Sequence, residues 1–320
     1  MYIEQGYKGK HEIWMYLVGV LVVFIGWQFL GGIPLLAAVF ATIKDFSSFP
    51  RTVGEMSELL GSNPFLIVML VAFVFGIVTL FLYVKYVHKL HFRPFTTARK
   101  KIDWKRIWFA FSFWAVISGG IILIDVNLAP ADYVFNFDLK KFIPLFLIVV
   151  LLIPIQTSFE EYFMRGYLMQ GLGILAKNKW VPLIITSSIF GLLHIFNPEV
   201  QKLGYGIMVF YIGTGFFLGI CTLMDEGLEL ALGFHAANNM IAALLVTADW
   251  TAFTTDSVYR DVSDPVLGWD VLVPVFVVFP IILLIFARKY GWSNWKERLF
   301  GKVLTKEEFA ALETNTDDLA

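Results

Sequence analysis

Long apolar runs constrain this chain more than any other feature of its sequence. A run of about 20 apolar residues has the length that an α-helix needs to cross a bilayer. The eight runs are Ile13–Thr42, Phe65–Val84, Ile107–Ile124, Phe142–Leu175, Val181–Phe196, Leu203–Met224, Leu228–Ala248 and Val271–Ala287. Because lipid cannot satisfy backbone polar groups, continuous runs of this length predict helices rather than strands. We therefore expect an all-α polytopic membrane helix bundle with about eight transmembrane helices.

The composition agrees with a membrane protein. Hydrophobic residues make up 58% of the 320 positions and charged residues 16%. A soluble domain of this length would leave much of that apolar surface in water, so the expected surrounding is the lipid bilayer. The net charge of -1 gives no reason to expect a nucleic-acid partner. The single cysteine, Cys221, excludes an intramolecular disulfide.

The distribution of Lys and Arg predicts the orientation of the bundle. The connection from Lys85 to Arg106 holds eight basic residues, and positively charged loops favour the cytoplasmic side. Eight crossings then place both termini in the cytoplasm, on a side that collects eighteen of the 25 basic residues. We expect one transmembrane domain over residues 1–290 and a cytoplasmic amphipathic or disordered tail over residues 291–320.

The fourth run has an unusual length. At 34 residues, Phe142–Leu175 is too long for one straight crossing, so we expect it to tilt strongly or to break. Measured along ideal helices that begin at Phe142 and Val181, Glu160 and His194 fall at different membrane depths. For these two side chains to meet, the fourth span has to start deeper or to be broken.

A few polar side chains interrupt the apolar runs. Ionisable groups at membrane depth cost several kcal/mol, so each is a candidate functional residue. They are Glu160, Glu161 and Arg165 in the fourth run, His194 in the fifth, and His235, Asn238 and Asn239 in the seventh. Three separate spans therefore carry the candidate site.

The spacing in the fourth run separates its two carboxylates. Glu161 and Arg165 are four residues apart, which places them on one helix face in the favourable order for an ion pair. We interpret that pair as mainly structural. Glu160 is rotated by about 100° from Glu161, so it is free to face the interior of the bundle.

The spacing in the fifth and seventh runs gives a similar geometry. His235 and Asn239 are four residues apart and share a helix face, and Asn238 is close enough in sequence to substitute for Asn239. Phe190 lies one turn before His194 and is placed to wall the same pocket. A carboxylate, two imidazoles and an amide are thus expected around one centre.

This set of groups suits the hydrolysis of a peptide bond. A carboxylate beside an imidazole can take a proton from water and return it to the leaving amine. Imidazole and amide N–H groups stabilise a developing oxyanion. Our hypothesis is that Glu160 is the general base and His194 orients the same water, while His235 and Asn239 polarise the scissile carbonyl.

Three other interpretations of the same residues stay open. Buried polar side chains also hold membrane helices together. Chains of Glu and His relay protons in proton-coupled transporters. Glu160, His194 and His235 also form the ligand set of a hydrolytic zinc centre, although the usual H-E-x-x-H helix is absent.

The polar residues match a known motif series. E-E-x-x-x-R at Glu160–Arg165, F-x-x-x-H at Phe190–His194 and H-x-x-x-N at His235–Asn239 resemble the motifs of the CPBP (CAAX protease and bacteriocin-processing, or Abi) intramembrane proteases. The resemblance implies an eight-helix membrane bundle with a polar cavity and a catalytic core at about 142–248. It also implies an endopeptidase similar to the type II CAAX prenyl endopeptidases.

The resemblance assigns roles that agree with the hypothesis above. Glu160 is implied as the catalytic carboxylate, with Glu161 and Arg165 as supporting residues. It favours a metal-free glutamate mechanism over one with zinc. Some family members are catalytically silent membrane scaffolds, which leaves that alternative open. The expected substrate is a membrane-associated peptide or protein, and the expected location is a bacterial cytoplasmic (inner) membrane.

A G-x-x-x-G pair at Gly215 and Gly219 predicts a close helix contact in the sixth run. Packing within the chain is the favoured interpretation, and a homodimer is the alternative.

Overall fold

The computed structural model of the chain describes residues 1–317 and, among these, the side chains of all but residue 270 and residues 315–317. The helices that form the bundle are α1 (Ile13–Thr42), α2 (Ser62–Tyr86), α3 (Trp104–Leu128), α4 (Leu139–Ala176), α5 (Trp180–Leu192), α6 (Tyr205–Asp225), α7 (Glu229–Leu245) and α8 (Val271–Tyr290). In this described part, six of them, all but α5 and α7, are long and apolar enough to cross a membrane. The predicted all-α polytopic bundle is confirmed. Eight crossings and cytoplasmic termini stay predictions.

Shorter elements connect and cover the bundle. The short helices are Ile3–Lys8, Phe46–Ser48, Val53–Leu60, Phe92–Thr96, Pro130–Asp132, Pro198–Leu203, Trp295–Phe300 and Lys306–Asp317. Three short strands, β1 (Tyr133–Phe135), β2 (Val246–Ala248) and β3 (Tyr259–Asp261), form a sheet in the order β1-β3-β2. β3 pairs antiparallel with β1 and parallel with β2. This sheet follows the ends of α3 and α7, so it covers the end of the bundle opposite the basic connection.

The packing of the helices explains where the polar residues lie. α7 packs along α3 and against α4, and α5 packs on α6. The contact between α3 and α7 is close, because a side chain at Gly233 would meet the backbone carbonyl of Ile107. Apolar side chains on the outer helices stay exposed, among them Leu17, Val116 and Phe276. The outer surface therefore suits lipid, while α4 and α7 bring polar side chains to the interior.

The fourth helix is one continuous helix rather than a broken one. α4 spans 38 residues and continues through a π-helical segment, Tyr162–Leu168, directly after the paired glutamates. Glu160 lies sixteen residues, or about 24 Å, from the end at Ala176. His194 lies fourteen residues, or about 21 Å, from the start of α5 at Trp180. Of the two predicted alternatives, the break is wrong and the strong tilt stays a prediction. The two depths agree when both are counted from the connection between Ala176 and Trp180 rather than from Phe142.

Both ends of the described chain lie on the same side of the bundle. Lys8 forms an ion pair with Glu313, and Tyr7 packs against Phe309. In the segment after α8, Leu299 and Val303 are buried against the bundle. The segment predicted as an amphipathic or disordered tail thus packs part of its apolar face on the protein. Residues 318–320, part of the end predicted to be disordered, lie outside the described residues.

The close contact predicted for the glycines of α6 is made with another helix of the same chain. A Cβ atom at Gly215 would lie 2.5 Å from the backbone carbonyl oxygen of Ser187 in α5, and one at Gly219 would lie 2.6 Å from Leu183. This face of α6 therefore packs on α5. A homodimer through another surface stays a prediction.

We expect Gly215→Ala to destabilise the protein by about 2 kcal/mol, because backbone atoms of α5 cannot move aside as a side chain can. Gly120→Ala in α3 is the matched control, since nothing lies within 4 Å of its added Cβ atom. Thermal unfolding in detergent measures both. Equal melting temperatures for the two variants would contradict the close α5–α6 contact.

Candidate active site

A cavity of about 450 Å³ lies among α4, α7 and the connection between α5 and α6. Four of the predicted site residues line it: Glu160, Phe190, His194 and Asn239. The segment Thr251–Phe253, which follows β2, lines the same cavity from the side of the small sheet. The other four predicted residues, Glu161, Arg165, His235 and Asn238, lie behind this lining.

Glu160 lies at the wall of the cavity with two different oxygen environments. Its Oε1 accepts a hydrogen bond of 2.7 Å from Nε2 of Gln156, one helical turn earlier in α4. Its Oε2 lies 3.6 Å from Nε2 of His235 and has no hydrogen-bond partner. The side chain is 14% exposed, so it is largely withdrawn from solvent but still reaches the cavity.

His235 lies between the two glutamates. Its Nδ1 is 2.8 Å from Oε1 of Glu161, which is a carboxylate oxygen, so Nδ1 carries the hydrogen and donates it. In neutral His235 the other nitrogen, Nε2, then presents a lone pair towards Glu160. Two lone pairs at this separation repel each other unless a proton or a water lies between them. The gap between Oε2 of Glu160 and Nε2 of His235 is therefore a place for a group that bridges the two side chains.

Glu161 and Arg165 form the ion pair predicted from their spacing. Nη1 of Arg165 lies 3.0 Å from Oε1 of Glu161, and both side chains are fully buried. Nη2 of Arg165 donates to the carbonyl oxygen of Gly215 in α6 at 3.0 Å. The guanidinium also lies 4.4 Å from the ring centroid of Phe190. Arg165 thus joins α4 to α5 and α6, and Phe190 separates it from the cavity.

The sequence predicted His194 inside the fifth helix, but the structure places it just beyond the end of that helix. α5 ends at Leu192, and His194 lies in the turn before Pro198. The last carbonyls of a helix lack backbone donors, and the ring of His194 supplies one. Its Nδ1 donates to the carbonyl oxygen of Phe190 at 2.9 Å, which leaves Nε2 as an acceptor in the neutral ring. The ring stacks on Tyr211, with centroids 4.4 Å apart.

The two asparagines of α7 have different positions. Asn239 lines the cavity, and its Nδ2 donates to Oε1 of Gln156 at 3.1 Å. Asn238 lies behind it, accepts from Nε1 of Trp114 at 3.0 Å and donates to Oδ1 of Asn239 at 3.1 Å. An amide nitrogen carries two hydrogens, and the bond to Gln156 uses one of those on Asn239. Asn239 thus has a free donor for a ligand, and Asn238 fixes its orientation.

Sequence reasoning missed Gln156, which connects Glu160 to Asn239. Its position four residues before Glu160, in an otherwise apolar helix, was a signal that it shares a face with that glutamate.

Glu199, also missed, is a second carboxylate at the cavity. It lies in the short helix Pro198–Leu203, outside the apolar runs, so hydropathy gave no reason to single it out. Burial raises the pKa of its carboxyl group, although the backbone N–H of Ala252 and the nearby His194 lower it in part.

The zinc alternative requires Glu160, His194 and His235 to converge on one ion. Among residues 1–317, no three His, Cys, Asp or Glu side chains are grouped so that they could hold a metal ion. Nδ1 of His235 donates to Glu161 and Nδ1 of His194 to the carbonyl of Phe190, so only Nε2 of each ring could face an ion. The described residues therefore present no three-ligand zinc centre.

We expect Gln156→Met to lower kcat by about tenfold to a hundredfold with little change in KM, because Glu160 and Asn239 lose the group that holds them together. Methionine keeps the size and flexibility of the side chain but neither donates to Glu160 nor accepts strongly from Asn239. Steady-state kinetics on one peptide substrate separate the two constants. A rise in KM alone would instead make Gln156 a substrate-binding residue.

Comparisons with known proteins agree with the motif series. The family model of the type II CAAX prenyl endopeptidase Rce1-like proteins matches residues 139–241, which contain all eight predicted site residues. The chain is 33% identical over 243 residues to the uncharacterized protein YyaK of Bacillus subtilis (strain 168), and the alignment covers 75% of this chain and 80% of that protein. No solved structure matches the chain. The chain is therefore a multi-pass integral membrane protein that belongs to the Rce1-like family of CAAX-type proteases.

Proposed function

We propose that this protein is an intramembrane endopeptidase in which Glu160 activates the water that attacks a peptide bond. The observation that carries the proposal is the position of Glu160, which lines an interior cavity together with His194 and Asn239. Its Oε2 has no hydrogen-bond partner and lies beside the imidazole of His235. An unsatisfied buried carboxylate oxygen is suited to accept a proton from a bound water.

The steps use only side chains of this chain. A water in the cavity donates one hydrogen bond to Oε2 of Glu160 and the other to Nε2 of His194. Glu160 takes one proton as the water oxygen bonds to the scissile carbonyl carbon. When the tetrahedral intermediate collapses, the C–N bond breaks and the proton passes from Glu160 to the leaving amine. The products are a carboxylic acid and an amine, so atoms and charge balance.

The carbonyl oxygen of the substrate becomes an oxyanion during attack. The free N–H of Asn239 and protonated Nε2 of His235 are the donors that we assign to it. One such donor is typically worth about 3–4 kcal/mol in the transition state. Glu161 keeps Nδ1 of His235 protonated and fixes the direction of the ring, which is why that buried glutamate supports catalysis without entering the cavity.

The proposed substrate is a membrane-associated peptide or protein, because Glu160 at the cavity lies about 24 Å along α4 from the nearer end of that helix at Ala176. The proposed location is the cytoplasmic membrane of a bacterium. A relative in Bacillus subtilis (strain 168) supports this location.

A proton-coupled transporter is the alternative that shares these residues, and a test in detergent separates the two. We expect the purified chain to cleave apolar peptides in detergent micelles, because hydrolysis requires neither a sealed vesicle nor a gradient. Mass spectrometry of the products measures cleavage. Transport in sealed vesicles with no cleavage in micelles would contradict the proposal.

The same assay tests the proposed absence of a catalytic metal. The cleavage rate should stay the same in excess EDTA and after removal of the chelator. A rate that falls with EDTA and returns with Zn²⁺ would overturn the metal-free mechanism, while leaving the peptidase assignment in place.

A further inference from the structure

The cavity contains a carboxylate that the proposed reaction does not use. Oε1 of Glu199 accepts a hydrogen bond of 2.9 Å from the backbone N–H of Ala252. Oε2 of the same group is buried and has no hydrogen-bond partner. A buried carboxylate oxygen without a donor is unfavourable, and a ligand that brings a donor into the cavity would relieve that cost.

The charges around Glu199 determine what kind of donor fits. Among the described residues that line the cavity, the acidic ones are Glu160 and Glu199, and none is Lys or Arg. The buried cation Arg165 is separated from the cavity by Phe190 and is engaged by Glu161. His194 is the one ring in the lining that can carry a positive charge. The cavity is therefore short of positive charge.

This charge pattern disfavours one substrate class and favours another. The free carboxylate of a peptide C-terminus would meet two glutamates and neither a Lys nor an Arg that could compensate it. A Lys or Arg side chain would instead give Glu199 the donor that its Oε2 lacks. A charged hydrogen bond that excludes water is strong and selective.

We propose that Glu199 is a specificity-determining residue that binds a basic side chain of the substrate close to the scissile bond. This inference rests on the proposed function. It makes the substrate an apolar segment interrupted by Lys or Arg, rather than a segment recognised by its free C-terminal carboxylate. The backbone N–H of Ala252, in the segment after β2, orients the carboxylate while His194, five residues earlier in the chain, holds the water.

Binding to a chain that cannot cleave tests the inference directly. The probes are fluorophore-labelled peptides of one apolar sequence that carry Lys, norleucine or Glu at a single position, prepared for each position in turn. Anisotropy with the Glu160→Gln chain in micelles measures their affinities. At one position, we expect the Lys peptide to bind about tenfold more tightly than the norleucine peptide, and the Glu peptide to bind least tightly.

The matched double variants assign that preference to Glu199. Glu160→Gln/Glu199→Gln should bind Lys and norleucine peptides equally, and its Gln oxygen can still accept from Ala252, so the fold is kept. Glu160→Gln/Glu58→Gln, which changes an exposed glutamate in the short helix Val53–Leu60, should keep the preference. Equal binding of Lys and norleucine peptides at every position, or a preference that survives Glu199→Gln, would overturn the inference.

Cleavage by the wild-type chain separates this inference from the proposed function. A Lys preference in binding with no cleavage by the wild-type chain would refute the endopeptidase and leave the cation site. Cleavage without any preference for a basic residue would refute the cation site and leave the endopeptidase.

Discussion

Glu160→Gln is expected to lower kcat for peptide cleavage by about a thousandfold, with a melting temperature close to that of the wild-type chain. General-base catalysis typically contributes about a hundredfold to ten-thousandfold, and glutamine cannot accept the proton of water. The fold should tolerate the change, because the amide oxygen of Gln can still accept the hydrogen bond from Gln156. Single-turnover cleavage of a quenched peptide measures the rate.

Two comparisons make the result specific. Glu58→Gln removes an exposed glutamate and should cleave at the wild-type rate. A catalytically silent scaffold would behave differently, because neither the wild-type chain nor the variant would cleave the peptide. Cleavage by Glu160→Gln at near the wild-type rate would remove Glu160 from the mechanism, and His235 would then be the base to test.

The sequence predicted the bundle well because long apolar runs have few structural solutions in lipid. It also predicted the pair of Glu161 and Arg165, since a spacing of four residues on one helix determines their separation. The depth of Glu160 in the membrane was harder to predict. The end of α4 was predicted at Leu175, one residue from its observed end at Ala176, and the error was to count the depth of Glu160 from Phe142 rather than from that end.

The second group of errors concerns residues outside regular helices. Hydropathy predicted a helix that continues to Phe196, whereas α5 ends at Leu192, and His194 lies in the turn that leads to Pro198. Glu199 gave no signal, because one glutamate in a loop of a membrane protein normally faces water. Glu199 lies at the cavity because β2 and the segment after it fold back over the bundle. Local sequence patterns do not predict that tertiary contact.

The ion pair behind the cavity should have the largest effect on stability. We expect Arg165→Met to destabilise the protein by about 3–5 kcal/mol, because it leaves the fully buried Glu161 carboxylate without its cation. The carbonyl oxygen of Gly215 loses its donor at the same time. Thermal and denaturant unfolding in detergent measure the loss, with Gly120→Ala as a control that meets no neighbour.

A double variant distinguishes a buried charge from lost packing. In Glu161→Gln/Arg165→Met, no charge is left unpaired, and the Gln oxygen can still accept from Nδ1 of His235. We therefore expect the double variant to be more stable than Arg165→Met alone, since a buried pair replaced as a whole is often close to neutral. The single variants Glu161→Gln and Arg165→Met are measured alongside. If their destabilisations simply add in the double variant, the two charges are not coupled, and Arg165 would stabilise the bundle through its contacts with Gly215 and Phe190 instead.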